Sequence, residues 1–263
     1  MIPKIIHYCW FGGNPKPEII EKCIASWHKY CPDWEIIEWN ESNYDVTAHD
    51  YTKEAYEAKM WAFVSDVVRL DVVASKGGIY LDTDVELKAG IDELRNFDAF
   101  FVFETDRNIN TGIGFGAIAG HASINAMLSV YDDRVFVKDG KMDMSPCPAK
   151  NTEALKKCYT EFNRNGKRQI FHRVLVLSGG DYACMAKHYS TGLWGPGMSA
   201  EDNKFVFRDT KLKRWLRDPV FFDWIELHMG EKPASVYTFL VYDFLDLGPM
   251  YYIKRYTKRL FDK

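Results

Sequence analysis

The sequence predicts an α/β fold, a mostly parallel central sheet flanked by helices, in a single domain that continues into a helical C-terminal extension. Residues 4–10 form an apolar run typical of a buried strand, residues 17–30 carry apolar side chains at helical spacing, and residues 34–39 form a second apolar run. Parallel strands need a crossover between them, and this strand–helix–strand opening supplies one.

The same alternation continues along the chain. Residues 52–75 form the strongest predicted helix, which is apolar over much of its surface and ends at Gly77-Gly78, where a left-handed cap fits. Residues 114–119 are interpreted as a close-packed glycine-rich loop beneath the substrate. Further strands are expected at 79–81, 98–104 and 170–177, and further helices at 122–131 and 152–162.

Composition restricts the class of protein. Of the 263 residues, 47% are hydrophobic, and 34 Lys and Arg face 37 Asp and Glu, which gives a net charge of -3. This balance excludes a disordered chain and argues against a nucleic-acid binder that relies on a basic field. We expect the core domain to span residues 1–200 and the extension to span 201–263.

The chain ends in an aromatic and basic segment at 250–263, which has two interpretations. It is either a peripheral contact with an anionic membrane surface or a terminal helix that packs its aromatic side chains on the domain. Six cysteines without a signal peptide at the start predict reduced thiols and a cytoplasmic protein. With the membrane interpretation of 250–263, the expected location is peripheral, at the inner membrane face.

An acidic pair stands directly after one of the predicted buried strands. Asp82 and Asp84 are two residues apart, so their carboxylates point to the same side and repel each other unless a cation or proton joins them. Oxygen ligands suit Mg²⁺ or Mn²⁺, which complete their shells with diphosphate oxygens and water. Since open α/β sheets bind ligands at the carboxyl ends of their strands, we expect a metal site here.

A second charged pair lies within the apolar predicted helix. Asp66 and Arg69 are three residues apart and share one helix face. Burying these charges costs free energy unless they pair or meet a polar ligand. A structural ion pair and a pair that holds sugar hydroxyls are both consistent with this spacing.

Three segments, in this order, resemble the DXD-containing sugar transferases of the capsular polysaccharide type: IPKIIHYCWFGG at 2–13, SDVVRLDVVASKGGIYLDTDV at 65–85 and INTGIGFGAIAGH at 109–121. Relatives of that family include the yeast initiating mannosyltransferases and the glucosylating domains of large clostridial toxins. The resemblance extends over residues 2–195. It implies a GT-A-type fold, a nucleotide-diphosphate-sugar donor, Mn²⁺ or Mg²⁺, and retention of anomeric configuration.

The resemblance also implies a role for each matching residue. Trp10 stacks on the donor base, Asp66 and Arg69 meet the sugar and phosphates, and Asp82 is shared by ribose and metal. Asp82 and Asp84 are the metal ligands, and with Asp66 and Arg69 they form the catalytic set. The full donor-binding set is Trp10, Ser65, Asp66, Arg69, Tyr80, Asp82, Asn110 and Thr111.

The sequence departs from the family toward its C-terminus, where members carry His-His and then Ser-Trp. The corresponding residues 204–215 contain Trp215 but no histidine. Two explanations stay open. Basic residues such as Arg208 or Lys211 neutralise the phosphates instead, or this part of the site has diverged and activity is lost.

The expected reaction moves a hexosyl group from a UDP-sugar, or a GDP-sugar, to a hydroxyl of a polysaccharide or lipid-linked oligosaccharide, as in capsular polysaccharide biosynthesis. No carboxylate stands at an obvious nucleophile position, and the resemblance implies a front-face displacement, in which the leaving phosphate receives the acceptor proton. A degenerate nucleotide-sugar- or glycan-binding protein is the alternative. A dehalogenase-type phosphatase is disfavoured by Glu86, and a dinucleotide-binding dehydrogenase by the late position of Gly114–Ala119.

Overall fold

A computed structural model describes residues 1–191 of the chain. The predicted extension at 201–263, including segment 250–263 and Arg208, Lys211 and Trp215, lies outside the described residues. The strands are β1 (Ile5–Cys9), β2 (Glu35–Trp39), β3 (Gly78–Tyr80), β4 (Val85–Leu87), β5 (Ala99–Val102), β6 (Phe115–Ala117), β7 (Val137–Lys138), β8 (Lys141–Met142), β9 (Gln169–Phe171), β10 (Val174–Leu177) and β11 (Ala186–His188). The α-helices are α1 (Glu18–Tyr30), α2 (Asp50–Glu57), α3 (Trp61–Lys76), α4 (Ala122–Leu128), α5 (Cys147–Cys158) and α6 (Gly179–Ala183).

Seven strands form the central sheet in the order β2-β1-β3-β6-β5-β10-β9. Strands β2, β1, β3, β5 and β10 run in one direction, and β6 and β9 run in the opposite direction. Strand β4 pairs with β11 in a separate two-stranded sheet. The α/β class with a mostly parallel central sheet is therefore confirmed.

Both faces of the central sheet are covered by apolar side chains. Phe101 of β5 belongs to the cluster that contains much of α3, whereas its neighbour Phe100 belongs to the cluster that contains Trp27 of α1. Successive strand residues point to opposite faces, so a run of buried residues needs helices on both sides. This burial fixes α3 on one face and α1 on the other.

The glycine-rich stretch is a strand rather than the loop expected from the sequence. Phe115–Ala117 form β6, which lies antiparallel between β3 and β5. A Cβ atom at Gly116 would stand 2.8 Å from the carbonyl oxygen of Gly78. The missing side chain lets the neighbouring backbone approach closely, which is one use of glycine inside a strand.

Two predicted elements are each divided in the structure. The helix expected at 52–75 is two helices, α2 and α3, because the chain turns at Lys59, whose φ is +58°. The strand expected at 170–177 is a hairpin of β9 and β10, with His172 and Arg173 at φ +43° and +61°. Neither turn contains the glycine or asparagine that usually marks positive φ, so sequence patterns gave no sign of them.

Among the described residues, no helix is both long and apolar enough to cross a membrane.

Candidate functional site

Two neighbouring strands bring the expected site residues to one edge of the sheet. Strands β1 and β3 are parallel partners, with His7 opposite Tyr80, and the Leu81 amide donates to the His7 carbonyl at 3.1 Å. Trp10 follows β1 and Asp82 follows β3, so both lie at the carboxyl edge. This is where open α/β sheets bind ligands.

Helix α3 adds a buried guanidinium to this edge. Nη2 of Arg69 lies 3.3 Å from Oδ1 of Asp66 and 3.3 Å from Oδ1 of Asp82. Its Nε donates to the Ser65 carbonyl at 3.0 Å, and the Tyr80 ring centroid lies 5.0 Å from its Cζ. The Tyr80 hydroxyl donates to Oδ1 of Asp82 at 3.0 Å. Four of the expected residues therefore form one cluster connected by ion pairs, a hydrogen bond and a cation–π contact: Asp66, Arg69, Tyr80 and Asp82.

Burial and neighbouring charges shift the pKa values within this cluster. Burial raises the pKa of Asp66, against the opposing effect of the Arg69 guanidinium. For Arg69, burial lowers the pKa, but the carboxylates of Asp82 and Asp66 outweigh it and hold the pKa well above its usual value. Arg69 is consequently a permanent, fixed positive charge.

The loop after β5 packs directly on the acidic turn. The Asp82 amide donates to the Gly112 carbonyl at 2.9 Å, and the Gly112 amide donates to Oδ1 of Asn110 at 2.7 Å. The Asn110 side chain also donates to Glu104 at 3.0 Å. A Cβ atom at Gly112 would clash with Oδ2 of Asp82, so a larger residue there would displace the Asp82 carboxylate. Asn110 thus stabilises this loop through both its side-chain oxygen and its side-chain nitrogen.

Thr111 lies behind the cluster and is fully buried. Its hydroxyl accepts a hydrogen bond from Nδ2 of Asn151 at 2.9 Å and contacts the Cys147 thiol at 3.9 Å. Cys147 in turn hydrogen-bonds to Asp66. Thr111 therefore supports the position of Asp66 from the inner side, together with helix α5.

Polar atoms with unmet hydrogen-bonding capacity lie close to Asp66. Within residues 1–191, the Tyr51 and Tyr131 hydroxyls and Oδ1 of Asn151 are buried without a hydrogen-bond partner. Nζ of Lys150 is also buried and forms an ion pair with Oδ2 of Asp143 at 3.5 Å. Lys150 lies 5.7 and 5.5 Å from the two tyrosine ring centroids. Buried polar groups in native proteins normally have hydrogen-bond partners. These side chains beside Asp66 are therefore suited to hydrogen-bond with bound water or with hydroxyl groups of a ligand.

Trp10 and Ser65 flank the cluster. Nε1 of Trp10 donates to the Asn14 carbonyl at 2.7 Å, and Nζ of Lys16 lies 5.6 Å from the centre of the indole. The Ser65 hydroxyl donates to the Trp61 carbonyl within α3 at 3.0 Å. Trp10 is half-buried, which leaves part of its ring at the edge of the sheet.

The structure brings a histidine, His188, next to Asp84, although it was not among the site residues expected from the sequence. Strand β11 pairs antiparallel with β4 and sets His188 opposite Val85, so Nε2 of His188 lies 3.1 Å from Oδ1 of Asp84. Ligand atoms of Asp82, Asp84 and His188 all lie within 4.8 Å of one another. Burial alone would lower the pKa of His188, but its hydrogen bond to Asp84 raises it.

These three side chains fit a divalent cation. Two carboxylates and an imidazole are a common ligand set for such ions, and three protein ligands leave coordination positions for other groups. Asp82 and Asp84 were expected as ligands, whereas no local motif surrounds His188 in the sequence. Only the pairing of β4 with β11 reveals it.

The fold and the site together define an α/β protein with a candidate divalent-metal centre at the carboxyl edge of its sheet. Residues 17–101 match the family model described as "Glycosyltransferase sugar-binding region containing DXD motif". Over these residues the chain is similar to the DXD-containing glycosyltransferases, which agrees with the resemblance that the sequence motifs indicated.

Two curated proteins are similar in sequence to part of this chain. Inositol phosphoceramide mannosyltransferase 3 of Schizosaccharomyces pombe is 32% identical over 46% of this chain and 34% of its own length. Subversion of eukaryotic traffic protein A of Legionella pneumophila is 26% identical over 32% of this chain and 17% of its own length. The chain thus spans about a third or less of the length of these relatives.

Two solved glycosyltransferase structures are similar to this chain at low identity. PaToxG glycosyltransferase gives a TM-score of 0.47 at 17% identity, covering 60% of this chain and 70% of that one. A glycosyltransferase involved in glycosylation of the major capsid of PBCV-1 gives 0.40 at 12% identity, covering 77% and 98%.

Proposed function

We propose that this chain is a metal-dependent, retaining glycosyltransferase that moves a hexosyl group from a nucleotide-diphosphate sugar, with a UDP-sugar favoured, to a hydroxyl of a polysaccharide or lipid-linked oligosaccharide. The observation that carries the proposal is the convergence of Asp82, Asp84 and His188 beside the buried Asp66–Arg69 pair. The match of residues 17–101 to the DXD sugar-binding region supports it independently.

Asp82, Asp84 and His188 are the residues proposed to hold the cation. Because one of the three ligands is an imidazole, the set suits Mn²⁺ better than Mg²⁺, whose preferred ligands are all oxygen. When bound, the cation would neutralise charge on the departing diphosphate.

Arg69 supplies a second, permanent positive charge in this part of the molecule. Its guanidinium is held by Asp66, Asp82 and the Ser65 carbonyl, so it needs no reorganisation when a diphosphate arrives. Fixed charges aimed at developing negative charge are the main source of this kind of catalysis. Asp66 offers carboxylate oxygens that accept hydrogen bonds from sugar hydroxyls, and Trp10 offers an indole face for the base.

The charges of the cluster favour a route without a covalent intermediate on the enzyme. The Asp66 carboxylate is in an ion pair with Arg69, and Asp82 is shared by Arg69 and Tyr80. Oxygens engaged in this way are poor nucleophiles. The proposed step is therefore a front-face displacement, in which the leaving phosphate takes the proton of the acceptor hydroxyl.

Release of UDP or GDP from a panel of nucleotide sugars tests this function without knowledge of the acceptor. The assay compares Mn²⁺, Mg²⁺ and EDTA for the wild type, Asp84→Asn and His188→Ala, with Asp71→Asn on α3 as the matched control. We expect metal-dependent release for one donor, a loss of about 100-fold or more in Asp84→Asn, a higher metal requirement in His188→Ala, and wild-type behaviour in the control.

Other outcomes redirect or refute the proposal. Metal-dependent donor binding with no release by the wild type would identify a nucleotide-sugar-binding protein instead of an enzyme. If no nucleotide sugar binds in the presence of either metal, the assignment of Trp10, Asp66 and Arg69 to the donor site is wrong. Release that persists in EDTA would exclude the metal.

A further inference from the structure

We propose that a second site, a lysine-rich groove between α1 and β4, binds an acidic oligosaccharide as the acceptor of the reaction. The lysine groove is defined by Lys22, Ser26, Lys29, Tyr30, Glu86 and Lys88. The inference rests on the proposed function, because it names the class of acceptor that the transferase extends.

The groove has the size of a small-ligand site. Its volume is 320 Å³, which lies at the lower end of the range of about 300–1,000 Å³ for such sites. One wall is the second half of α1, and the other is β4 with the residue that follows it. A groove of this volume accommodates one or two units of a flexible chain.

Positive charge is concentrated in the groove although the whole chain has a net charge of -3. Lys22, Lys29 and Lys88 line it with Glu86 as the single carboxylate. Glu86 pairs with Lys22 at 2.9 Å, and in the described part of the chain neither Lys29 nor Lys88 has a carboxylate at ion-pair distance. Nζ of Lys88 donates one hydrogen bond to the Ala183 carbonyl at 2.9 Å. The positive charges of Lys29 and Lys88 are therefore not neutralised by a carboxylate of the described residues, and both ammonium groups keep N–H donors for an anionic ligand.

Aromatic side chains accompany these lysines. Nζ of Lys29 lies 4.9 Å from the ring centroid of Tyr30 within the groove. At its rim, Tyr189 has Lys22 and Lys187 at 5.5 and 4.1 Å from its ring and donates a hydrogen bond to Glu86 at 2.6 Å. Aromatic rings, ammonium groups and a carboxylate acceptor together match a ligand that has sugar rings, anionic groups and hydroxyls.

The groove is continuous with the candidate metal site along two paired strands. Glu86 lies two residues after Asp84 on one strand, and Tyr189 directly follows His188 at the end of the other. The Tyr189 amide donates to the Asp84 carbonyl at 3.0 Å. The end of the groove at Glu86 and Tyr189 therefore faces the residues proposed to bind the cation, and a glycan chain that extends beyond this end runs toward them.

Binding experiments on the full-length protein test this inference without turnover. The probes are oligogalacturonate, a phosphorylated mannan oligosaccharide and a neutral dextran oligosaccharide of equal length. The affinity of each probe is measured by calorimetry at low and high salt. We expect the wild type to bind at least one acidic probe, the neutral probe to bind much more weakly, and high salt to weaken acidic binding because screening shortens the reach of exposed charges.

Charge reversal then assigns the binding to the groove. Lys29→Glu/Lys88→Glu should weaken acidic-probe binding at least 10-fold, whereas Lys157→Glu/Lys167→Glu, two lysines outside the groove, should leave it unchanged. Donor hydrolysis should be equal in all three proteins, since it needs no acceptor. This separates a failure of the groove from a failure of the proposed function.

Three results would overturn the inference. One is equal affinity for acidic and neutral probes, or no affinity for any of them. Another is an identical loss in both double variants, which would indicate a general effect of net charge. The third is tighter binding of anionic phospholipid vesicles or single-stranded DNA than of either acidic oligosaccharide.

Discussion

The charged side chains at the carboxyl edge of the sheet are mostly buried and paired, whereas those of the lysine groove are mostly exposed. The two regions are neighbours, since β4 begins directly after Asp84 and lines the groove. Arg69 at the edge is 4% exposed and contacts two carboxylates, whereas the Lys22 side chain in the groove is 56% exposed and contacts one. Buried charges must be paired and fixed, while exposed ones remain hydrated and mobile.

This difference suits the two proposed ligands. A fixed cluster such as Asp66, Arg69 and Asp82 recognises one small molecule in one orientation, because its members have no freedom to rearrange. Mobile lysines such as Lys29 and Lys88 adapt to a polymer whose charged groups vary in position. Three sets of substitutions, centred on Arg69, His7 and Lys22, test the contrast between buried and exposed charges through the free energy of unfolding, measured by urea denaturation of the full chain.

The largest effect is expected at Arg69. Replacement by Met leaves Asp66 and Asp82 without their cation inside a buried site, and loss of one partner of a buried pair costs about 3–5 kcal/mol. Arg69→Lys keeps the charge but loses the planar fork, so it should lie between Arg69→Met and the wild type. In Arg69→Met/Asp66→Asn, removal of one uncompensated carboxylate should restore part of the loss.

A change of less than about 1 kcal/mol in the free energy of unfolding of Arg69→Met, the scale of an exposed ion pair, would contradict the claim that the charges around Arg69 differ from those of the groove. The cluster would then be solvated much like the groove.

The second effect concerns His7, which is fully buried in β1. Its Nε2 lies 2.8 Å from the Gly77 carbonyl and its Nδ1 lies 3.1 Å from Nε1 of Trp39, so the neutral ring donates to Gly77 and accepts from Trp39. Burial lowers the pKa of His7 from 6.5 to about 4. Between these values the unfolded chain binds a proton that the folded chain does not.

Stability should therefore fall by about 3 kcal/mol through His7 as the pH decreases from about 6.5 to about 4, with no further loss below that. The measurement is the difference between the pH profiles of the wild type and His7→Gln, since carboxyl groups titrate alike in both. Parallel profiles over this interval would show that His7 is protonated in the folded protein.

The smallest effect is expected at the exposed pair of the groove. Lys22→Met removes the ion pair with Glu86, and such surface pairs commonly contribute nothing measurable. Its urea midpoint should match that of the wild type, and Glu86→Gln should behave the same way. A clear loss in both variants would place the groove among the structural parts of the molecule and weaken its assignment as a ligand site.

Local sequence features predicted much of the site. Asp82 and Asp84 follow a buried strand, and Asp66 and Arg69 share a helix face, so short-range spacing sufficed to bring them to one edge. His188 could not be found in this way. Its position depends on the pairing of β4 with β11, two strands far apart in the sequence.

The fold shows the same division between local and long-range information. The strand–helix–strand opening follows from apolar periodicity, and the structure contains it as β1, α1 and β2. The central position of β6 depends on how closely Gly116 lets its neighbours approach, which is a property of the assembled sheet. The separation of α2 from α3 depends on the left-handed backbone of Lys59, a conformation its residue type does not signal.

Strand β11 gives the candidate metal centre a dependence on local order. It is three residues long and pairs with β4 outside the seven-stranded sheet, so its opening would withdraw His188 while the sheet and the acidic turn stay intact. A cation that binds the ordered form alone stabilises that form by mass action. The amide hydrogens of β11 should accordingly exchange more slowly with solvent as the cation concentration rises. The metal centre would be complete only while β11 is paired with β4.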